Sequence, residues 1–257
     1  MNDLKKFIEK ETYYIGLKLK NFFDHEEVTS NSISEIKTKL TTNLIRTIKK
    51  QEIDVGFIEE YSSSEDYTKK KNNLHIHILD GSGNMLRGIP YFGTTITLSS
   101  RGSKGVEPIF SCMYLPNLGE MLTSEKGEGT KINGKNVNVS RIEAIENSFG
   151  SIAPTMDEYM SSVMSNLGEI SQTSEFRLET EGTGLYNVRY LVNGNRDFWV
   201  FKHDPEVDYS YNLSIGAKLM IEEAGGKVTK LDGSEWHVGD SELLASNKLI
   251  HNYLVGI

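Results

Sequence analysis

One stretch of the chain combines the residue types that bind phosphate and divalent metal ions. It covers residues 75–84 and reads HIHILDGSGN. The alternation of apolar residues predicts a β-strand, and the two glycines that follow predict a tight turn. Exposed backbone N–H groups at such a turn, with the carboxylate of Asp80 and the hydroxyl of Ser82, suit a phosphate bound against a divalent cation. The stretch therefore predicts a phosphate and metal loop, although an Asp-Gly pair alone is more often only a turn.

The same stretch opens a series of motifs that spans the chain. Residues 78–84 and 88–92, which read ILDGSGN and GIPYF, resemble the first signature of the inositol monophosphatase family, DP[IL]DGTxNF…GxPxF. Residues 127–140 resemble that family's GxGAxxNGxxxxVS strand pair. The segments 182–184, 193–197 and 223–233 follow the order of its C-terminal half. The resemblance therefore covers nearly the whole chain.

Two periodic patterns predict that the fold opens with two long helices. Each pattern places apolar residues on one helical face, and the members are Leu4, Ile8, Ile15, Leu19 and Phe22, then Ile33, Ile36, Leu40, Leu44 and Ile48. Strand patterns dominate from about residue 55 to 140, most clearly at 94–98 and 109–115. After that, helical patterns at 157–166 and 213–224 alternate with strands.

These elements agree with the fold that the resemblance implies. That fold is a layered αβαβα sandwich of the α/β class, with an α+β first half and an α/β second half. We predict that residues 1–142 form the first half, which carries the Asp-Gly-Ser loop, and that residues 143–257 form the second. A chain of 257 residues with 37% hydrophobic content is long enough to bury such a core.

Composition argues against several classes of partner. A net charge of −8 disfavours nucleic-acid binding, which depends on Lys and Arg. No segment is apolar enough to predict membrane insertion, and the N-terminus has no signal-peptide pattern, so we predict a cytoplasmic protein. The single cysteine, Cys112, has apolar neighbours and is predicted to be a buried packing thiol.

The resemblance also implies a set of site residues. In the family, carboxylates from three segments hold magnesium ions, which bind phosphate and activate a water molecule, and magnesium favours such oxygen ligands. By resemblance, the metal ligands are Glu59, the Leu79 carbonyl and Asp80, joined by Asp208. Glu59 and Ser82 would align the water, and the substrate would contact Gly81, Ser82 and Asp204.

The chain departs from the family pattern at the first aspartate of the loop, which is His77 here. A neutral ring replaces a carboxylate that can bridge two cations, so at least one magnesium site should weaken. Imidazole suits zinc, manganese or iron better than magnesium. His77 could therefore be the ligand of a transition metal. Alternatively, it is a strand residue that binds no metal at all, because His75, two positions earlier on the same predicted strand, shows that an imidazole there needs no ligand role.

The last family carboxylate has two incompatible assignments. Counting back from Glu223 puts Leu213 at its position, whereas counting forward from Arg196 puts Asp208 there. An insertion within residues 202–211 is implied, and Asp204 or Asp208 would either reach the metal or cap the next helix. The family's specificity glutamate falls on Phe201, which argues against inositol phosphate itself as the substrate.

Two functional hypotheses remain open at this point. The first is metal-dependent hydrolysis of a small phosphomonoester at an altered site, with Mg²⁺, or with Mn²⁺ or Zn²⁺ because of His77. The alternative is a catalytically inactive or repurposed member that holds no metal and acts as a ligand-binding or protein-binding module, or in a biosynthetic pathway. The expected partner is a small phosphorylated metabolite, and the resemblance implies a homodimer.

Overall fold

In the computed structural model, the described residues are 1–58, 69–103, 105–153, 163, 165–168, 175–202 and 211–256. Two long helices open the chain, α1 (Asn2–His25) and α2 (Ser30–Lys50). Thr29 caps α2 by accepting a hydrogen bond from the Ser32 backbone N–H, and the Ser32 hydroxyl accepts one from the Thr29 backbone N–H. The predicted pair of helices is confirmed.

A seven-stranded sheet follows. Its strands are β1 (Gly56–Ile58), β2 (Asn72–Asp80), β3 (Gly93–Gly102), β4 (Gly105–Leu115), β5 (Glu120–Glu125), β6 (Gly129–Ile132) and β7 (Lys135–Val137). They neighbour one another in chain order, β1 running parallel to β2 and all later pairs antiparallel. The strands predicted at 94–98 and 109–115 lie within β3 and β4. A short helix, α3 (Ser82–Leu86), connects β2 to β3.

The second half contains a five-stranded sheet in the order β11-β12-β10-β8-β9. Its elements in the chain are a 3-10 turn (Ile145–Asn147), β8 (Phe149–Ala153), β9 (Arg177–Glu179), α4 (Gly184–Val192), β10 (Phe198–Lys202), α5 (Tyr211–Glu223), β11 (Lys227–Thr229), β12 (Glu242–Ser246) and α6 (His251–Leu254). β8 is parallel to β9 and β10, and β12 is antiparallel to both of its neighbours.

The elements stack in five layers. α1 and α2 pack on the first sheet, α5 contacts both sheets and also packs against α4, and α6 packs on the far side of the second sheet. Three clusters of buried apolar side chains fill the spaces between these layers. The predicted αβαβα sandwich is thereby confirmed, whereas the predicted division at residue 142 stays a prediction. Within the described ranges, no helix combines the length and apolarity needed to cross a bilayer.

Two predictions on single elements have different outcomes. Cys112 is fully buried, and burial raises the pKa of its thiol, so the predicted packing role is confirmed. The helix predicted at 157–166 falls mostly outside the described residues.

His251, buried at the start of α6, makes the stability of the second half depend on pH. Its Nε2 and Nδ1 atoms lie 2.9 and 2.8 Å from the hydroxyls of Thr229 and Ser246. Burial, with a smaller effect of Lys227, lowers the pKa of His251 from 6.5 to about 4. Because the folded state resists protonation, the stabilisation is complete above about pH 6.5 and is lost as the pH falls towards 4, by about 3 kcal/mol.

We expect His251→Gln to flatten this part of the stability profile, as measured by urea unfolding between pH 7 and 4. The exposed His237 provides the control, since His237→Gln should leave the slope unchanged. An unaltered slope in His251→Gln would contradict the assignment.

Candidate functional site

The end of β2 forms a turn that only glycine can occupy. The pairing of β2 with β3 becomes irregular between His77 and Asp80, and the chain then turns into α3 through Gly81, whose φ is +82°. A Cβ at Gly81 would lie 2.3 Å from the carbonyl oxygen of Tyr91. The positive φ and the close backbone contact therefore both require glycine at this position of the turn. Asp80 precedes Gly81 in the chain, and Ser82 follows it.

The carboxylate of Asp80 is held by the second half of the chain. Its Oδ2 atom accepts a hydrogen bond from the Thr183 hydroxyl and another from the backbone N–H of Leu185, at 2.9 Å. Thr183 is the residue that precedes α4, so the donors lie at the first turn of that helix. We call these two donors the Asp80 clamp. The clamp fixes the carboxylate and leaves its Oδ1 atom to face His77.

The environment keeps Asp80 ionised. Burial acts to raise its pKa, but the interactions with His77, the Leu185 N–H and the Thr183 hydroxyl outweigh it, so the pKa lies below its ordinary value. A carboxylate that accepts several hydrogen bonds commonly behaves in this way. Asp80 therefore carries a negative charge at neutral pH.

His77 is buried beside this charge. Its Nε2 atom lies 3.9 Å from Asp80 Oδ1, which is beyond hydrogen-bond distance. Its Nδ1 atom is buried and has no hydrogen-bond partner among the described residues. His75, two positions earlier, pairs instead with the hydroxyl of Ser99 at 2.9 Å. The two imidazoles thus have different surroundings, and only His77 adjoins the turn.

A cleft of about 290 Å³ opens next to the turn, between α2 and α3. Its polar lining residues are three serines, one lysine and a glycine, namely Ser30, Ser34, Ser82, Lys37 and Gly83. The side chains of Ile33 and Leu86 complete it. We call it the Ser82 cleft. A cation and several hydroxyls around one small space suit a phosphate group.

Comparison with known proteins identifies the family. A model of the inositol monophosphatase family matches residues 10–256. The chain belongs to the inositol monophosphatase family. The resemblance read from the motifs is confirmed.

Individual relatives carry different names. The chain is 24% identical over 231 residues to an inositol-1-monophosphatase of Mesorhizobium japonicum, covering 87% of this chain and 81% of that protein. It is 26% identical to a fructose-1,6-bisphosphatase/inositol-1-monophosphatase of Thermotoga maritima, at 88% and 81% coverage. It is 24% identical to a Nus factor SuhB of Buchnera aphidicola, at 94% and 91% coverage.

Solved structures share the fold. An inositol monophosphatase of Thermotoga maritima superposes with a TM-score of 0.81 at 23% identity, covering 99% of this chain and 96% of that one. Inositol monophosphatase II of Staphylococcus aureus superposes with a TM-score of 0.83 at 14% identity, covering 98% and 92%. At these identities the likeness concerns the fold.

The last metal-binding carboxylate of the family has two candidate positions in this chain. Counting back from Glu223 without a gap assigns it to Leu213. α5 runs without interruption from Tyr211 to Glu223, so this count contains no gap within the helix. Leu213 is buried, and its side chain packs against the backbone of Gly184, between the two clamp residues. If the backward count is right, the position of the family's third carboxylate is occupied by an apolar residue. Asp204 and Asp208, the other candidates, lie outside the described residues.

The described residues do not form a multi-carboxylate metal site. Within the described ranges, no three His, Cys, Asp or Glu side chains come together in a group suited to a metal ion. Asp80 and His77 lie beside each other, and the Leu79 carbonyl belongs to the same strand. Glu59, the first predicted ligand, is outside the described part of the chain, so its predicted role is untested. Asp80, His77 and the Leu79 carbonyl are the predicted metal ligands that lie within the described residues.

Sequence reasoning missed the Asp80 clamp. The motif 182–184 contributed to the family resemblance, but no role was assigned to Thr183 or to the Leu185 N–H. A hydroxyl residue directly before a helix is a common signal of a helix start, and this is the one feature of the sequence that points to Thr183. The residue that Thr183 contacts, Asp80, is 103 residues away in the chain, and no local pattern indicates such a contact.

Proposed function

We propose that the protein binds a small phosphorylated metabolite, with the phosphate in the Ser82 cleft. The observation that supports this proposal is that Lys37 and three serines line one cleft beside the turn. Charge-assisted hydrogen bonds from such groups bind phosphate without a metal ion. The names of the relatives, several of which are phosphatases, support a phosphorylated ligand.

We also propose that the protein does not hydrolyse this ligand by the magnesium-dependent route of the family. His77 supplies an imidazole ring where a bridging carboxylate would be needed, and Leu213 is apolar at the position given by the backward count. In addition, the Oδ2 atom of Asp80 is already occupied by two protein donors. Each difference removes charge or an acceptor that a pair of cations requires.

A second candidate is metal-dependent hydrolysis at a rebuilt site. It is favoured by the ionised Asp80 next to His77, whose Nδ1 atom has no partner among the described residues. Asp80, His77 and the Leu79 carbonyl would contribute ligands, with Glu59 and Asp208 as further proposed ones. A transition metal such as Mn²⁺ or Zn²⁺ would suit the imidazole better than Mg²⁺.

Pairing into a homodimer and a cytoplasmic location also remain predictions.

Phosphate release distinguishes the two candidates. We expect a panel of sugar, inositol and nucleotide monophosphates, assayed with Mg²⁺, Mn²⁺ or Zn²⁺, to give the same background with the protein and with Asp80→Asn. Metal-dependent turnover that disappears in Asp80→Asn would instead establish the rebuilt hydrolase.

Binding tests the Ser82 cleft directly. We expect Lys37→Met to weaken the binding of inorganic phosphate, measured by calorimetry without metal, by about tenfold, the effect of losing a charge-assisted hydrogen bond. Lys39→Met removes the same charge from an exposed position of α2 outside the cleft and is the matched control. Equal affinities in both variants would contradict phosphate binding in this cleft.

A further inference from the structure

A cavity of about 490 Å³ opens beside Asn84, on the face of α3 opposite the Ser82 cleft. Its lining includes two glutamates, two tyrosines, an arginine and an asparagine, namely Glu179, Glu181, Tyr91, Tyr190, Arg196 and Asn84. We call it the Glu181 cavity. It shares no lining residue with the Ser82 cleft. A ligand in this cavity is therefore independent of the phosphate that we propose for the cleft.

Asn84 joins the two chain segments that meet at the cavity. Its side-chain amide donates to the backbone carbonyls of Tyr91 and Glu181, at 2.9 and 2.6 Å. Gly182 follows with a φ of +66°, and a Cβ there would lie 2.9 Å from Asn84 Oδ1. Contacts within the protein therefore hold the segments in place. A cavity that is formed before its ligand arrives binds with a smaller loss of conformational entropy.

Both terminal nitrogens of the arginine in this cavity are occupied. Arg196 donates from Nη1 to the Ser151 hydroxyl and from Nη2 to the carboxylates of Glu179 and Glu181. Its side chain is only 5% exposed, and its guanidinium lies 4.5 Å from the centroid of the Phe149 ring. With both glutamates ionised, the charges of the lining sum to −1. An anionic ligand would have to break one of these ion pairs.

The two carboxylates, in contrast, have oxygen atoms without partners. The Glu179 side chain is 61% exposed, and among the described residues it accepts one hydrogen bond, from Arg196 to Oε2 at 2.9 Å. The Glu181 side chain is 6% exposed, and its buried Oε2 atom has no hydrogen-bond partner in the described part of the chain. A buried acceptor without a partner is costly. An ammonium group, which has three donors and no acceptor, matches these two carboxylates.

Two of the lining residues are large, apolar and exposed. Ile89 is 40% and Tyr91 39% exposed. The ring of Tyr190 is less available, because the guanidiniums of Arg189 and Arg196 lie 5.2 and 5.1 Å from its centroid. An apolar group that packs against Ile89 and Tyr91 would leave water beside the two carboxylates. The cavity thus offers an apolar surface and an acidic one to the same small ligand.

We infer that the Glu181 cavity is a second ligand site, which binds a small primary amine with an apolar body. The ammonium group donates to Glu179 and Glu181, and the body packs against Ile89 and Tyr91. Charge makes the site selective, because a carboxylate of the same shape would meet two glutamates and an arginine that is already paired. This site is separate from the proposed phosphate site and does not depend on it.

Three probes with one apolar body and different polar groups test this site: 2-phenylethylamine, 2-phenylethanol and 3-phenylpropionate. We expect calorimetry to show the amine binding about tenfold more tightly than the alcohol, the effect of a charge-assisted hydrogen bond, and the carboxylate binding most weakly. Glu179→Gln keeps the shape of the side chain but removes its charge. It should weaken amine binding about tenfold and leave alcohol binding unchanged. Glu175→Gln makes the same change at an exposed residue outside the lining and is the matched control.

Tyr91→Ala provides a second measurement, on the apolar side of the cavity. It should weaken the binding of amine and alcohol by the same several-fold factor, because it removes packing surface and no charge. An amine that binds no more tightly than the alcohol would overturn the inference, and so would unchanged amine affinity in Tyr91→Ala. Equal losses in Glu179→Gln and Glu175→Gln would also overturn it, since they would indicate only a general attraction to an acidic protein. Phosphate binding in the Ser82 cleft would stand in each of these cases.

Discussion

Replacing Gly81 by alanine is expected to destabilise the protein by about 3 kcal/mol or more. The new Cβ would lie 2.3 Å from the carbonyl oxygen of Tyr91 and 3.0 Å from Cα of Phe92. Both contacts are with backbone atoms, which cannot rotate away as a side chain can. A φ of +82° adds a further strain of about 1 kcal/mol for a residue with a side chain. Urea unfolding of Gly81→Ala measures the loss.

Gly83 is the matched control, two positions along the chain. A Cβ at Gly83 would meet nothing within 4 Å, and the residue lies in α3, where alanine is preferred over glycine. We expect Gly83→Ala to be neutral or to stabilise by a few tenths of a kcal/mol. Equal losses in the two variants would show that the turn, as described, does not require glycine at one specific position.

Replacing Arg196 by methionine is expected to cost about 3–5 kcal/mol, the usual effect of removing one partner of a buried ion pair. Methionine retains much of the volume but none of the donors. The carboxylate of Glu181 and the hydroxyl of Ser151 would both lose their partner in a place that water hardly reaches. Thermal and urea unfolding of Arg196→Met give the magnitude.

Glu181→Gln in the Arg196→Met background should recover much of the loss, because it removes the uncompensated buried charge. Acidification should act in the same direction. Burial already raises the pKa of Glu181, although Arg196 opposes this effect, so loss of the arginine should raise the pKa further. Arg196→Met should therefore approach the unmodified protein in stability as the pH falls. Additive effects of the two substitutions would contradict a direct coupling.

The sequence predicted the elements that depend on local patterns. The helical periodicity of α1 and α2 follows from apolar residues that face one core, as Ile8 and Leu40 do. The turn after β2 was predictable because Gly81 follows a strand in which apolar residues alternate with polar ones. In each case the relevant interactions lie within a few residues of one another or on one face of one element.

Contacts between distant segments were not predictable in this way. Thr183 and the Leu185 N–H bind Asp80 across more than 100 residues. Arg196 and Glu181 meet because α4 reverses the chain between them, which their residue types alone do not indicate. The third carboxylate position remained ambiguous because the insertion precedes α5. The uninterrupted helix supports the backward count to Leu213, and Asp208 stays a prediction outside the described residues.

The Asp80 clamp has a consequence for the order in which the protein is made. Asp80 leaves the ribosome before its donors, since Leu185 is 105 residues later in the chain. At translation rates of about 5–20 residues per second, the carboxylate waits roughly 5–20 seconds for its partners. Throughout that interval the nascent first sheet ends in a charged turn without its stabilising donors. The end of the molecule that carries the proposed phosphate site is therefore expected to mature only after the helix that begins at Gly184 has been synthesised.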